Sequence, residues 1–394
     1  MHGKFLLINK LNSLDKDLLG TDMPTSHTCI KRHGLTDLSL GMSFNTAVEL
    51  RMRKKKTRKV KDLRSVVETK DVEKLGSGLE TDSEFEMGTG PRRFSYGELA
   101  QSTRGFDGKE KLGEGGFGEV YKGFMENSGK YVAVKRLSKK SDQGPKEFAS
   151  EINIISRLSH KNLVKLTGWC HEKGELMLVY EFMENGSLDL HLFKEKTLLT
   201  WATRYKIARG LATALLYLHE DWEQCVLHRD IKSSNVMLDS NFNTKLGDFG
   251  LAKLVDHEKG SKTLTMLAGT LGYMAPEIAA TGMATRESDV YSFGVVALEI
   301  ACGRKPIVYN AQENQIRLVE WVWELYGAGT LLEATDPRLG SDYEEEQIKR
   351  LMIVGLWCAH PDSHLRPSMR QVTHVLISEA SMPFLPSKMP VASY

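Results

Sequence analysis

The sequence predicts an α+β fold in two unequal parts, a small antiparallel sheet with one main helix followed by a larger, mostly helical half. Three observations carry this. Apolar residues alternate through KLGEGGFGEVYKG and KYVAVKRL, the period of a strand, with glycines at the turns. They recur every three or four positions through PKEFASEINIISRL and TRYKIARGLATALLYLHE, the period of a helix. After the strand-like LMLVYEF, helical patterns take over and continue almost to the end of the chain. With 394 residues, 41% of them apolar and 26% charged, the chain has material for one or two cores, and neither a disordered nor a fibrous class fits.

Residues 1–93 are polar and irregular and read as a tail and linker. Within them RMRKKKTRKVK (51–61) places eight Lys/Arg in eleven positions, and ETDSEFE (80–86) is acidic. On composition the basic run reads as a solvated segment, a nucleic-acid arm or a membrane contact. A net charge of only +2 argues against a protein devoted to nucleic acid. No stretch reaches the roughly 18 apolar residues of a membrane span. FLLI is too short for a signal-peptide core, and MHG lacks the second-position glycine that myristoylation needs.

Dense hydrophobic periodicity runs from about Phe94 to about Ile377. The sheet comes first. A helix follows in which Phe148, Ile152, Ile155 and Leu158 share a side and Pro145 suits the first turn. Two more strands are expected around LVKLTGW and LMLVYEF. Next comes a helix carrying Ile207, Leu211, Leu215 and Leu218, and later SDVYSFGVVALEIACG, apolar nearly all round. The five cysteines, Cys29, Cys170, Cys225, Cys302 and Cys358, are odd in number and form no CxxC pair, so they read as reduced thiols in core packing.

Gly113, Gly115, Gly118 and Val120 form GxGxxGxV between two strand-like runs. Bare backbone there can close over a phosphate, although an ordinary glycine hairpin reads the same. A dinucleotide fingerprint would lead into a helix, whereas this one leads into EVYKG. VAVK then supplies Lys135, and Glu151 follows sixteen residues later on the inner side of the next helix. A lysine beneath such a loop can neutralise phosphates and a helix carboxylate can hold its stem, the plain alternative for Glu151 being a surface charge. LHRDIKSSNVML and LGDFG follow, with Asp248 thirteen residues after Asn235. His160 and His228 belong to no cluster with zinc-ligand spacing.

Glycine loop, VAVK, helix glutamate, HRDxxxxN, DFG and APE, in one order over roughly residues 106–378, resemble the signature set of the eukaryotic protein kinases. The resemblance implies a bilobal protein kinase fold, with an N-lobe at about 106–183, a C-lobe at about 184–378, a flanking segment at 94–105 and a tail at 379–394. It implies ATP and Mg2+, with Mn2+ as a substitute, and phosphoryl transfer by positioning and charge neutralisation. Asp230 would orient the proton of the incoming hydroxyl, Lys232 would sit at the transferring phosphate, and Asn235 and Asp248 would hold the metal. Lys135 would contact the α- and β-phosphates and pair with Glu151. Val120, Ala133 and Leu238 would enclose the adenine, Leu112, Glu181 and Met183 would complete the ATP site, and Tyr180 would guard its back.

Lys232 in DIKSSN resembles the Ser/Thr pattern, and Thr270 in GTLGYMAPE would reach towards Asp230 and Lys232. Arg229 would engage an activation-loop phosphate. The segment offers Ser261, Thr263, Thr265 and Thr270, and phosphorylation is expected at Thr263 or Thr265. Glu277 and Arg366 resemble an ion pair bracing the end of this segment, and Asp289 the residue holding the catalytic-loop backbone. An alternative is a non-catalytic kinase-fold scaffold, which need not retain Lys135, Glu151, Asp230, Asn235 and Asp248 together.

GWCHEKGELMLVYEFMENGSLD, GTLGYMAPE and PRRFSYGELAQSTRGFDGKEKLGEGGFGEVYKG are most similar to the cytosolic part of plant L-type lectin receptor kinases. Such receptors carry a lectin domain and a membrane span, both expected to be missing here. By this resemblance the run 51–61 takes the place of a juxtamembrane segment, where each Lys/Arg near an anionic leaflet contributes up to about 1 kcal/mol. The implied location is the cytoplasm, at the inner face of the plasma membrane. The implied partners are proteins bearing Ser/Thr, the chain itself by self-phosphorylation, and a weak anionic membrane contact.

Overall fold

The computed structural model describes residues 90–391, except 116–117, 139–143, 195, 256–262, 265–268, 310–314 and 379. The runs 51–61 and 80–86, Cys29, Ser261 and Thr265 lie outside the described residues, as does the side chain of Thr263.

Six strands form the sheet of the smaller lobe: β1 (Arg92–Arg93), β2 (Lys111–Gly115), β3 (Gly118–Met125), β4 (Lys130–Leu137), β5 (Leu166–Glu172) and β6 (Glu175–Glu181). Their order is β1-β5-β6-β4-β3-β2, antiparallel except for the β1–β5 pair. Alternation decides what each face does. On β4, Val132 and Val134 turn into a core shared with Phe94, Leu99, Cys170, Met177 and Val179, while Ala133 and Lys135 face the other way.

The strand β1 precedes Phe94, where periodicity begins, and two residues carry no pattern of their own. It docks because Gly168 opposite it has no side chain: a Cβ there would lie 2.1 Å from the Arg92 carbonyl oxygen and 2.4 Å from the Phe94 ring. The segment then enters α1 (Tyr96–Ser102) through a capping box between Ser95 and Glu98, burying Leu99 completely. The flanking segment is thus part of the lobe's core.

Helix α2 (Gly144–Ile155) has Pro145 in its first turn and buries Phe148, Ile152 and Ile155. It ends before Leu158, which is buried from the turn beyond. The strand expected around LVKLTGW begins only at Leu166, because Leu163 instead bridges to Leu246 of the larger lobe.

The larger lobe is helical. Strand β7 (Gly186–Ser187) leads into α3 (Leu188–Phe193), and α4 (Trp201–Leu216) follows, N-capped by Thr200, with Ile207, Leu211 and Leu215 at 0% exposure. A π-type turn at Tyr217–Asp221 buries Leu218. Short strands β8 (Cys225–Leu227), β9 (Val236–Leu238), β10 (Thr244–Leu246) and β11 (Lys253–Val255) frame the loops at the cleft. Gly210 lets α4 lie close on β10, since a Cβ would sit 2.8 Å from the Thr244 side chain. Beyond α5 (Pro276–Thr281), helix α6 (Arg286–Cys302) is buried nearly all round and packs on α7 (Leu318–Ala328) and α8 (Glu345–Cys358); α9 (Met369–Ile377) lies against α4.

The tail past 379 is also docked: Leu385 is buried, and Trp323 donates to the Pro386 carbonyl. Cys170, Cys225, Cys302 and Cys358 are buried, and burial pushes the Cys170 thiol up to about 11. No helix among the described residues is long and apolar enough to cross a membrane.

Candidate active site

Register places the first group of residues. Val120 pairs with Lys135 across β3 and β4, so both project into the cleft with Ala133, beneath the glycine turn. Residues 116–117 of that turn lie outside the described residues. On α2, Glu151 is three positions from Phe148 and one turn from Ile155, which sets it on the buried face at 1% exposure. Lys135 Nζ therefore donates to Glu151 Oε2 at 2.8 Å and to Asp248 Oδ1 at 2.7 Å. Burial alone would pull the lysine's pKa down, but the carboxylates of Asp248 and Glu151 outweigh it and hold the ammonium well above its usual range. Burial likewise opposes ionisation of Asp248, and Lys135 overrides it, keeping that carboxyl below the usual range. Tyr180, on β6, donates to Glu151 Oε1.

The second group comes from the loop after β8. Arg229 (φ +69°) and Asp248 (φ +65°) both occupy the left-handed region, which costs a non-glycine residue energy and persists only where surroundings impose it. Asp289 on α6 supplies that constraint for Arg229: its carboxylate accepts the backbone N–H groups of His228 and Arg229, each at 2.8 Å, and meets His219 Nε2 at 3.1 Å. These bonds offset burial and hold Asp289 below the usual carboxylate range, so it stays an acceptor. Asp230, 4% exposed, accepts from Lys232 Nζ at Oδ2 (2.6 Å) and from the Thr270 hydroxyl at Oδ1 (2.9 Å), and Lys232 also donates to Thr270 (3.1 Å). Asn235 donates its amide nitrogen to the Asp230 carbonyl at 2.8 Å, leaving its amide oxygen as the end available to a cation.

Of the residues expected around an adenine, Val120 and Ala133 are half-buried, Leu238 and Met183 are buried, and Leu112 is exposed. Glu181 receives its place from β6, its backbone N–H donating to Lys165, and its side chain lies 3.5 Å from Lys245 Nζ. Glu277 and Arg366, far apart in sequence, form a two-pronged pair at 2.6 and 2.8 Å, and Arg366 also donates to the carbonyls of Glu287, His360 and Pro361. Arg229 donates to the Leu251 carbonyl at 3.0 Å.

Three participants carry no sequence signal of their own. Lys253 on β11 comes near Arg229, and burial together with that like charge lowers its pKa. Tyr273 donates to the fully buried Glu299 at 2.7 Å, tying the Thr270 segment to α6. Ser150 on α2 donates to the Ala252 carbonyl at 2.9 Å, joining the Glu151 helix to the segment after Asp248.

The donor set fits a hard divalent cation bound together with phosphates. An ionised carboxylate (Asp248) and an amide oxygen (Asn235) are too few for an all-protein cage and suit a metal that keeps waters and phosphate oxygens. Among the described residues no group of three His, Cys, Asp or Glu could hold a metal by itself.

A family model described as a protein kinase domain matches residues 106–376. Two receptor kinases from Arabidopsis thaliana, L-type lectin-domain containing receptor kinases IX.1 and IX.2, are 58% and 55% identical, each over 77% of this chain and over 47% and 46% of their own lengths. The L-type lectin-domain containing receptor kinase SIT2 of Oryza sativa subsp. japonica is 49% identical over 75% of this chain and 44% of its own. The chain spans about half the length of each of these relatives.

Proposed function

The chain belongs to the protein kinase family, and from that premise we propose that it transfers the γ-phosphate of ATP to serine and threonine hydroxyls of proteins, itself included. The observation that carries this reading is the closed triangle of Asp230, Lys232 and Thr270, because it sets an acceptor for a hydroxyl proton beside a cation suited to a transferring phosphate. Ser/Thr preference rests on the same triangle together with the DIKSSN sequence.

In this mechanism Lys135, oriented by Glu151, binds the α- and β-phosphates, and Val120, Ala133, Leu238 and Met183 hold the adenine, with Leu112, Glu181 and the glycine loop completing the pocket. Asp248 and Asn235 would hold Mg2+, which when bound supplies charge neutralisation at the phosphates. Asp230 orients the incoming hydroxyl and takes up its proton, and Lys232 stays at the oxygen side of the transferred group.

Activation-loop phosphorylation at Thr263 or Thr265 would be read by Arg229 and Lys253, two cations whose mutual repulsion a phosphate would relieve. The basic run 51–61 would give a weak, salt-sensitive contact with an anionic inner leaflet, which co-sedimentation with anionic liposomes checks; indifference to anionic lipid at low salt removes it.

Transfer of radiolabelled phosphate to a generic protein substrate, with Asp230→Asn as control, tests the catalytic reading. Signal from the natural chain alone is expected. Equal signals from both forms would sink it in favour of a scaffold.

A further inference from the structure

A cavity of about 650 Å³ opens outside the nucleotide cleft, between α3 with the residues after it and the turn that follows α6. The charged side chains lining it, among the described residues, are all basic: Lys194, Lys196, Arg304, Lys305 and Arg338. Its floor is built. Asp336, 2% exposed, accepts from Arg338 Nη2 at 2.6 Å and lies 2.8 Å from Nη2 of the fully buried Arg204. Asp336 and Arg204 lie behind the lining residue Arg338, and one carboxylate shared by two guanidinium groups leaves a net positive charge there. Gly303 makes this closure possible, because a Cβ there would fall 2.1 Å from Asp336 Oδ2. Arg338 also donates to the Leu192 carbonyl at 2.8 Å, fastening the floor to α3.

The rim is held as well. The Arg304 guanidinium stands 4.0 Å from the Trp321 ring and the Lys305 ammonium 6.0 Å from that of Phe193. Leu198 and Val308 leave apolar surface beside these charges, 49% and 41% exposed. A pocket of this size with both kinds of lining suits several side chains of an extended peptide. Its position is specific: Gly272, between Thr270 and Tyr273, lies against Pro306 and Ile307, where a Cβ would come within 3.1 and 3.3 Å. The residues directly after Lys305 therefore form a wall of the segment that faces Asp230.

We propose that this cavity is a docking subsite for a glutamate- and aspartate-rich stretch of the protein substrate, flanking the hydroxyl to be phosphorylated. The inference rests on the protein kinase reading above and adds a preference to it. Concentrated positive charge over a low-dielectric floor draws and orients an acidic chain, and the apolar rim takes its aliphatic stems.

The test is fluorescence anisotropy on the full chain, without nucleotide, with a fluorescein-labelled glutamate-rich peptide and its glutamine counterpart. The glutamate peptide is expected to bind about tenfold more tightly at low salt, the margin shrinking as salt screens the pocket. Arg304→Ser with Lys305→Ser should abolish the margin while the chain still unfolds in one cooperative transition. A chain with the lysines of 51–61 changed to serine should keep it. Equal binding of both peptides, or a margin that follows the 51–61 variant instead of the pocket variant, overturns the proposal. Binding is read without transfer, so a chain that phosphorylates yet shows no margin loses the subsite alone, and one that binds yet transfers nothing loses the catalytic reading alone.

Discussion

Tyr180 and Lys135 hold opposite oxygens of one carboxylate, the phenol donating to Oε1 of Glu151 and the ammonium to Oε2. Glu151 is buried, so each oxygen depends on its single named donor. Tyr180→Phe keeps the ring and leaves Oε1 without that donor, at a cost of about 1–3 kcal/mol. Melting temperature should fall, and KM for ATP should rise as Glu151 loosens its hold on Lys135. Wild-type values of both would mean the phenol contributes nothing.

The pair Glu277–Arg366 offers a purely structural counterpart. The Arg366 side chain is fully buried and spends its donors on Glu277 and three carbonyls. Glu277→Ala strands that cation, and loss of a buried partner costs roughly 3–5 kcal/mol. Urea denaturation should register the shift in midpoint; a midpoint within error of wild type would place the pair outside the folding core.

Glu299 should make stability depend on pH. Burial, against the bonds from Tyr273 and Ser233, pushes its carboxyl up to about 8 from an ordinary 4.5. Between those values the folded chain keeps a proton that the unfolded chain has released. Stability therefore falls as pH rises from about 4.5 to about 8 and levels off above, by roughly a few kcal/mol in total. Glu299→Gln is neutral throughout, so melting curves from pH 5.5 to 8.5 should show a shallower decline than wild type, whereas parallel declines would refute the assignment.

Gly168 decides whether the segment before the lobe can dock. Gly168→Val drives a side chain into the Arg92 carbonyl and the Phe94 ring. Limited proteolysis should then cut within 90–105, where the natural chain resists, and an unchanged cleavage pattern would count against docking through this strand.

Alanine at Ser261, Thr263 and Thr265 together should lower kcat/KM roughly tenfold or more in a self-phosphorylated preparation, about the worth of one charge-assisted hydrogen bond to Arg229. Full activity in that variant removes regulation through these hydroxyls.

Lys135, Asp230, Asn235 and Asp248 were legible in the chain because each sits in a short motif, and Glu151 because it follows VAVK on the inner side of the next helix; the strand and helix periods around them are local. The alternation of β4 and the helical face of α2 follow from neighbours in sequence alone. Other features depend on partners that sequence separation conceals. Tyr273 with Glu299, Arg204 with Asp336, and Gly168 under Arg92 are juxtapositions across 26, 132 and 76 positions, and no local period encodes them. The same holds for helix and strand limits: α2 stops at Ile155 although apolar spacing runs on to Leu158, and β5 starts at Leu166 because Leu163 finds Leu246. Sequence by itself determined the family, the two-part fold and the short motifs that the fold brings to one cleft, since these follow from residue type and short spacing. Only the tertiary structure decided that Lys135 also meets Asp248 and that Arg204 meets Asp336, how far each is buried, and where five basic residues converge, because burial and long-range charge pairing are properties of the packed chain.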